Sequence, residues 1–204
     1  MTSSSAAVAR PPIAWRSIGA LSAIIVVMHL AVDLLSPYGF QRDEFLYMAM
    51  GRHLQLWRMD FPPFIAMLSQ VQRFLLGDSM VAIRLSSALA AGLLVLLASL
   101  IARELGGGRV AQLFAALAVA TSPVFIRPGV LFQPVVFDEL WWTLALFALA
   151  KIGAESPSED WRDTSPEWWI VLGAACGLGL LTKFSLLFFG AALVAAQVLA
   201  PQRR

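Results

Sequence analysis

The stretch that decides the class of fold is residues 15–35, WRSIGALSAIIVVMHLAVDLL. It is apolar over the roughly 20 residues that a helix needs to cross a bilayer. Because it exceeds the about 7–15 apolar residues of a signal peptide, we predict a retained membrane helix. His29 and Asp33 lie one helical turn apart within it, and we interpret them as an internal polar pair. The preceding residues 1–14, rich in Ser, Ala and Pro, are predicted to be a disordered cytoplasmic segment.

The composition of the whole chain agrees with this first span. Apolar residues make up 59% of the 204 residues, and charged residues only 14%, against about 25% in a soluble domain. Further apolar stretches predict spans at 80–102, 110–126, 135–152, 168–181 and 184–200. We therefore expect residues 15–204 to form an all-α bundle in which the chain crosses the membrane several times, that is, a polytopic membrane protein.

Two other classes of protein are excluded by charge and cysteine content. The net charge of +2 is small and the basic residues are scattered, so no nucleic-acid partner is expected. The single cysteine, Cys176, rules out an internal disulfide and a cysteine-based zinc site.

The segment between the first two spans is too polar to cross a membrane and too apolar for a free loop. Its pattern predicts two amphipathic helices, at 43–57 and 63–76, lying in the headgroup plane on the outer face. The sequence Asp60-Phe61-Pro62-Pro63 separates them, because a residue before proline disfavours the helical conformation. Ser79 is predicted to begin the next span.

Loop charges give the orientation. The tight basic turn from Arg103 to Arg109 and the basic C-terminal tail favour the cytoplasmic side. We therefore predict a multi-pass protein of the plasma (inner) membrane with a cytoplasmic N-terminus. Seven basic residues then face outward and cluster in the long connecting segment and near other charged residues, which indicates an anion-binding outer face: Arg42, Arg52, Arg58, Arg73, Arg84, Arg127 and Lys183.

Asp43 and Glu44 directly follow the first span, where the chain leaves the bilayer. Charged groups at the mouth of a membrane bundle are costly, and they are candidates for function. The residues leave two interpretations open, because Asp43 is also a favoured helix N-cap and Glu44 a favoured first-turn acid.

Several motifs resemble, in order, those of glycosyltransferase family 39, the dolichyl-phosphate-mannose-protein mannosyltransferase-like enzymes of the GT-C superfamily. The resemblance begins at Arg42-Asp43-Glu44-Phe45-Leu46-Tyr47 and covers nearly the whole chain. The further motifs are Gly51-Arg52-His53-Leu54, Asp60-Phe61-Pro62-Pro63, Gly77-Asp78-Ser79 with Arg84, Ala102-Arg103-Glu104-Leu105-Gly106-Gly107-Gly108, Phe132-Gln133-Pro134 with Phe137-Asp138, and Gly179-Leu180-Leu181-Thr182-Lys183-Phe184.

The resemblance implies an inverting sugar transfer on the outer side of the membrane. The donor would be a polyprenyl-phosphate-linked sugar among the membrane lipids, and the acceptor a hydroxyl of a protein, lipid or glycan. Asp43 matches the catalytic base, and Glu44 would hold the acceptor or pin the loop. Family members are commonly more than twice as long, so the chain is expected to correspond to the N-terminal half of such an enzyme.

The same resemblance and the position of charged residues nominate a set of substrate-binding side chains. Many family members carry Asp where this chain has Val135, and Asp138 is the best match to the second acidic position. No cofactor is assigned, although a divalent metal ion held by Asp43 and Asp138 stays open, with an identity that carboxylates alone do not reveal. The nominated residues are Arg52, Asp60, Arg127, Asp138 and Lys183.

Two alternatives to an active enzyme remain open at this stage. The first is a non-catalytic membrane subunit that binds anionic lipid headgroups through Arg52, Arg58 and Arg73, with no need of Asp43. The second is an inactive, truncated product.

Overall fold

A computed structural model describes residues 10–55, 58–59, 61–155 and 164–199 of the chain. Within these ranges the regular structure is entirely helical, which confirms the all-α prediction. The helices are α1 (Trp15–Leu35), α2 (Arg42–Arg52), α3 (Phe64–Leu76), α4 (Met80–Glu104), α5 (Arg109–Thr121), α6 (Pro123–Gly129), α7 (Pro134–Glu155), α8 (Pro166–Thr182) and α9 (Leu186–Leu199).

Helix α4 lies at the centre of the bundle. It packs against α1 and α5 on one side and against α7 on another, while α8 packs on the far side of α7. The α1–α4 contact is close because of Gly92, where a Cβ atom would stand 2.6 Å from Val26 Cγ2. The Ser22 hydroxyl donates a hydrogen bond of 2.7 Å to the Gly92 carbonyl. Small residues and hydroxyl bonds of this kind hold helices together where lipid removes the usual hydrophobic driving force.

The protein is a helical, multi-pass membrane protein. Among the described helices, α1 and α4 are each long and apolar enough to cross a bilayer. Helices α5 and α6 together make a third crossing if the bent pair is counted as one span.

The predicted span 110–126 is bent in the structure. Helices α5 and α6 meet at an angle of 61°. The physical cause is Ser122-Pro123: proline disfavours the helical conformation of the residue before it, and Ser122 is extended, with φ −77° and ψ 124°. The bend turns α6 toward α1, where Gly129 packs so closely that a Cβ atom would lie 2.6 Å from His29 Nε2.

Helices α2 and α3 form the predicted pair between the first spans, with a shorter α2. It ends at Arg52 instead of residue 57, because the chain must reverse to bring α3 back against Gly51. A Cβ atom on Gly51 would lie 2.8 Å from the Ala66 carbonyl oxygen, so the two backbones nearly touch. Leu56, Trp57 and residues 1–9, 156–163 and 200–204 lie outside the described residues.

Helix α3 buries one face against its neighbours and exposes apolar side chains on the other. It buries Ile65 and Gln72, while Phe74 on its outer side is 90% exposed. Gln72 joins α3 to the start of α4 by donating to the carbonyls of Ala82 and Ile83 at 3.1 and 3.0 Å.

Ser79 begins α4, as predicted. Its hydroxyl accepts a hydrogen bond of 3.2 Å from the Ala82 N–H, which makes it the N-cap of this central helix.

Candidate active site

The site begins at the N-terminus of α2. This helix is capped by Gln41, whose backbone N–H donates to Glu44 Oε2 at 2.6 Å. The predicted start at Asp43 is therefore wrong, and so is the capping role considered for Asp43. Glu44 reaches back to the cap, as carboxylates at this third helical position often do. Asp43 is left with a side chain that the helix start does not use.

Glu44 is fully buried, with 0% of its surface exposed. Its Oε1 atom accepts hydrogen bonds of 2.8 Å from Arg84 Nε and from the Phe132 N–H. Its Oε2 atom accepts from Arg84 Nη2 at 2.7 Å in addition to the Gln41 N–H. An oxygen held by two donors is not free to take a proton from a substrate. Of the two roles predicted for Glu44, the geometry therefore favours pinning the loop.

Arg84 connects this carboxylate to α1. Its Nη1 atom lies 2.8 Å from Asp33 Oδ1, and Nη2 donates to the Gly39 carbonyl at 3.3 Å. The sequence suggested a pair of Asp33 with His29, but in the structure Asp33 is paired with Arg84. His29 is buried as well, but its ring nitrogens lie 2.7 and 3.0 Å from the carbonyl oxygens of Ile25 and Ile126.

We call Glu44, Arg84 and Asp33 the Glu44 cluster. It joins α1, α2, α4 and the loop before α7 at a single point. Buried charges are stable when they are paired and hydrogen-bonded, and this network satisfies three of the four carboxylate oxygens. Only Asp33 Oδ2 is buried without a hydrogen-bond partner. By anchoring the start of α2, the cluster therefore fixes the position of Asp43, the residue directly before Glu44.

Asp43 lies at an open cleft of about 400 Å³. Its side chain is 37% exposed. Asp43 Oδ1 lies 3.3 Å from Nε of its ion-pair partner Arg42, whose side chain is 93% exposed. One wall is closed by a hydrogen bond of 2.7 Å from Gln133 Nε2 to Gln41 Oε1. The lining residues are Gln41, Asp43, Pro123, Val124, Arg127, Pro128, Leu131, Gln133 and Val135.

Arg127 reaches the same cleft because of the bend in the third crossing. It lies in the last turn of α6, the helix that the bend at Pro123 turns toward α1. The structure thus places one carboxylate, Asp43, and one guanidinium, Arg127, on the lining of a cleft large enough for a small ligand.

Tyr47 lies one helical turn after Asp43 and is 7% exposed. Burial raises the pKa of this phenol above its ordinary value, and the negative charge of Asp43 raises it further. The phenol is therefore neutral at physiological pH.

Asp138 and Lys183 form a second, separate group. Asp138 is 9% exposed near the start of α7, and its Oδ1 atom accepts a hydrogen bond of 2.6 Å from the Ser185 hydroxyl. Lys183 Nζ lies 3.8 Å from Asp138 Oδ2. Neither Asp138 nor Lys183 lines the cleft of Asp43 and Arg127.

The other two nominated residues are not brought to the cleft. Arg52 is exposed in the last turn of α2. The hydrogen bond from Arg73 lowers the pKa of the Asp78 carboxyl group, and the charge of Arg52 adds to this effect. Asp60 lies outside the described residues.

A metal ion bridging Asp43 and Asp138 receives no geometric support. In the described ranges, no group of three His, Cys, Asp or Glu side chains is placed to hold a metal ion. The two carboxylates belong to different groups, each with its own hydrogen-bond or ion-pair partner.

Comparison with known proteins gives one match. A family model described as dolichyl-phosphate-mannose-protein mannosyltransferase matches residues 60–204. The chain belongs to this family. The resemblance drawn from the motifs is thereby confirmed, and the protein is a member of a membrane glycosyltransferase family. No curated protein and no solved structure matches the chain significantly.

The match with the family model covers only part of the candidate site. Within the mannosyltransferase family match lie Arg84, Arg127, Asp138 and Lys183, whereas Asp43 and Glu44 precede its first residue. Arg84 and Phe132 inside the match hold Glu44 outside it, so the structure joins the two parts.

Sequence reasoning missed the roles of Arg84, Asp33, Gln41 and Gln133. Arg84 was noted in a family motif but given no partner. A usable signal existed, because an arginine within an apolar span requires a buried opposite charge, and Asp33 lies at the matching end of another span. No comparable signal pointed to the glutamines, whose contact joins residues 92 positions apart.

Proposed function

We propose that this protein is a membrane glycosyltransferase that moves a sugar from a polyprenyl-phosphate donor to an acceptor hydroxyl, with inversion at the anomeric carbon. The observation that carries the proposal is the division of labour between two adjacent carboxylates. Glu44 is locked by four hydrogen bonds, while Asp43 projects from the same helix start into an open cleft. Membership of the mannosyltransferase family supports sugar transfer as the reaction class.

Asp43 acts as the general base in this proposal. The acceptor oxygen attacks the anomeric carbon and forms the new glycosidic bond while Asp43 takes its proton. The bond from that carbon to the phosphate oxygen breaks on the opposite face, and the lipid phosphate leaves with the electron pair. A positioned base of this kind contributes about 10²–10⁴-fold to the rate.

Arg127 stabilises the leaving group. Negative charge grows on the lipid phosphate as the bond breaks, and a guanidinium can bind two phosphate oxygens at once. Gln41 and Gln133, hydrogen-bonded to each other on the same cleft lining, offer amide groups for sugar hydroxyls. Lys183, 52% exposed beside Asp138, lies outside this cleft, and both residues stay predicted substrate contacts. Arg52 and Asp60 stay predicted substrate contacts.

We further propose that the cleft faces outward from the plasma membrane and that the N-terminus is cytoplasmic. The basic turn from Arg103 to Arg109 at the opposite end of α4 supports this orientation, since short basic loops stay in the cytoplasm. The acceptor would then be a protein, lipid or glycan of the cell envelope.

The test is sugar transfer by membranes that contain the full chain, supplied with radiolabelled polyprenyl-phosphate mannose, glucose or galactose. We expect Asp43→Asn to reduce transfer by about 10²–10⁴-fold. The matched control is Asp78→Asn, a carboxylate of the same connecting region that does not line the cleft, and it should transfer at the wild-type rate. Asp43→Asn should unfold at the wild-type temperature, because its side chain is partly exposed. Asp78→Asn should lose only the small contribution of its pair with Arg73 and should stay folded in the assay.

Two results would contradict the proposal. Equal transfer by Asp43→Asn and the wild type would remove Asp43 as the base. A folded wild-type protein that transfers none of the three sugars, yet binds anionic vesicles in a way that Arg52→Gln combined with Arg58→Gln abolishes, would favour the non-catalytic subunit. That alternative is weakened by the structure, because Arg73 is already paired with Asp78.

A further inference from the structure

A basic pocket lies at the end of the bundle opposite the cleft, where α1 and α5 begin. Its volume is about 280 Å³. The lining residues are Ile13, Ala14, Trp15, Arg16, Ser17 and Arg109. Apart from its two arginines, this lining carries no charged side chain.

Arg16 and Arg109 are the charged groups of this pocket. Both are exposed, and within the described part of the chain neither forms an ion pair. The other cations described at this end, Arg10, Arg103 and Lys151, are all engaged by Glu104. Two guanidinium groups therefore share one concave surface, and no anion among the described residues neutralises them.

The pocket walls are held in place by buried hydrogen bonds. Gln112 on α5 is fully buried, with 0% exposure. Its side chain accepts from the Ala14 N–H at 3.1 Å and donates to the Pro12 carbonyl at 3.2 Å and to the Gly107 carbonyl at 3.1 Å. The segment that carries Arg16 is thus fixed against the loop that carries Arg109 before any ligand arrives. Preorganisation of this kind lowers the entropic cost of binding.

The position of the pocket relative to the membrane indicates which kind of anion it binds. Arg16 is the second residue of α1, a helix long and apolar enough to cross the bilayer, so it lies where that helix enters the headgroup layer. Trp15, 55% exposed beside it, has the preference of tryptophan for the same layer. Both α1 and α5 also start here without a side-chain cap, so the positive ends of two helix dipoles add to the arginine charges.

We propose that this pocket binds the phosphate of an anionic phospholipid such as phosphatidylglycerol. Arg16 and Arg109 would hold the phosphate oxygens, while the lipid tails lie along the apolar surface of α1. Basic pockets between membrane helices are suited to such headgroups. The site is independent of the sugar-transfer cleft, because it lies at the opposite end of α1 and shares no residue with it.

The experiment is native mass spectrometry of the detergent-purified full chain, titrated with phosphatidylglycerol or with phosphatidylcholine. We expect a saturable phosphatidylglycerol adduct that phosphatidylcholine does not form. Arg16→Gln combined with Arg109→Gln should weaken that adduct on the order of 30-fold, since each arginine near a membrane surface contributes roughly fivefold. Both side chains are exposed, so the double variant should elute as the wild type does in size-exclusion chromatography.

A matched double variant separates a specific pocket from general attraction of charge. Arg52→Gln combined with Arg58→Gln removes the same charge from two exposed positions, one in the last turn of α2 and one in the connection that follows it. It should retain the adduct. An equal loss in both double variants would show that binding follows net charge, and the proposed pocket would be wrong.

Inorganic phosphate distinguishes the lipid from a free anion. At millimolar concentration it should leave the phosphatidylglycerol adduct largely intact, because the lipid tails contribute apolar contacts that phosphate lacks. Complete displacement of the lipid by inorganic phosphate would overturn the assignment to a phospholipid.

Discussion

The two ends of the helical bundle each hold a buried glutamate, but they balance its charge in opposite ways. In the Glu44 cluster, two carboxylates share one arginine, Arg84. At the other end, Glu104 faces three cations, Arg10 at 3.2 Å, Arg103 at 2.8 Å and Lys151 at 3.4 Å. We call this second group the Glu104 cluster.

The difference shows how one bundle serves two purposes. The Glu44 cluster carries surplus negative charge and leaves one neighbouring carboxylate, Asp43, unlocked in a cleft, which is what proton transfer requires. The Glu104 end carries surplus positive charge, which suits the anionic surface of a membrane. Burial differs as well, because the Arg84 side chain is 6% exposed, whereas those of Arg10, Arg103 and Lys151 are 32%, 19% and 15% exposed.

The largest expected effect on stability comes from breaking the Glu44 cluster with Arg84→Met. Asp33 and Glu44 would then be buried without a counter-charge, which costs about 3–5 kcal/mol. Thermal unfolding of the detergent-purified protein, followed by circular dichroism, measures this loss.

A triple variant tests whether unpaired charge is the cause. Asp33→Asn, Glu44→Gln and Arg84→Met together leave no charge in the cluster, so the triple variant should be more stable than Arg84→Met alone. If the triple variant unfolds at the same temperature as the single one or below it, packing and not charge explains the loss.

A smaller loss is expected from Glu104→Gln at the opposite end. Glutamine keeps an acceptor oxygen for Arg103, and all three cations are exposed enough to regain water. We expect a cost of about 1.5–3 kcal/mol, the range of single hydrogen bonds to charged groups. The same unfolding assay applies, and sugar transfer should be unchanged. A loss as large as that of Arg84→Met would show that the two clusters are energetically alike.

The smallest expected effect concerns the exposed pair of Arg73 and Asp78, near the Glu44 end. The hydrogen bond from Arg73 lowers the pKa of the Asp78 carboxyl below its ordinary value. Because the folded pKa lies below the unfolded one, the stabilisation is complete above the ordinary aspartate pKa. It is lost as the pH falls through the folded pKa.

The pH effect can be isolated by difference. The unfolding temperature of the wild type minus that of Asp78→Asn should be constant above about pH 5 and should shrink at lower pH. Salt at about 1 M should reduce the difference, because the pair is exposed and screened. A difference that grows on acidification would mean that the folded pKa of Asp78 is raised and not lowered.

Much of the fold follows from local sequence patterns. Residues 15–35 form a helix with the predicted bounds, and Ser79 caps the central helix, because apolar length and capping chemistry are properties of short segments. The bend at Pro123 was missed although Ser122-Pro123 is a local signal, since the apolar run continues across it. The cost of straightening the backbone before a proline outweighs continuity of hydropathy.

The candidate site was predicted only in part, for a physical reason. Asp43 could be nominated from its place after a span, and Arg127 from its charge. Their meeting at one cleft depends on the bend and on Glu44, whose partners Arg84 and Phe132 lie 40 and 88 residues away. No local pattern encodes contacts over such separations, and only these contacts favour one of the two roles predicted for Glu44, pinning the loop.

Those separations also set an order of assembly as the chain is made and enters the membrane. The arginine of α4 is synthesised after both of its acidic partners, so it can be neutralised from the moment that α4 enters lipid. The backbone N–H of Phe132, by contrast, can donate to Glu44 only after the segment before α7 has been synthesised. A nascent chain that has released only its first four helices can thus already form the ion pairs of the Glu44 cluster. The part of the cleft lining that follows α5 has not yet been synthesised at that point.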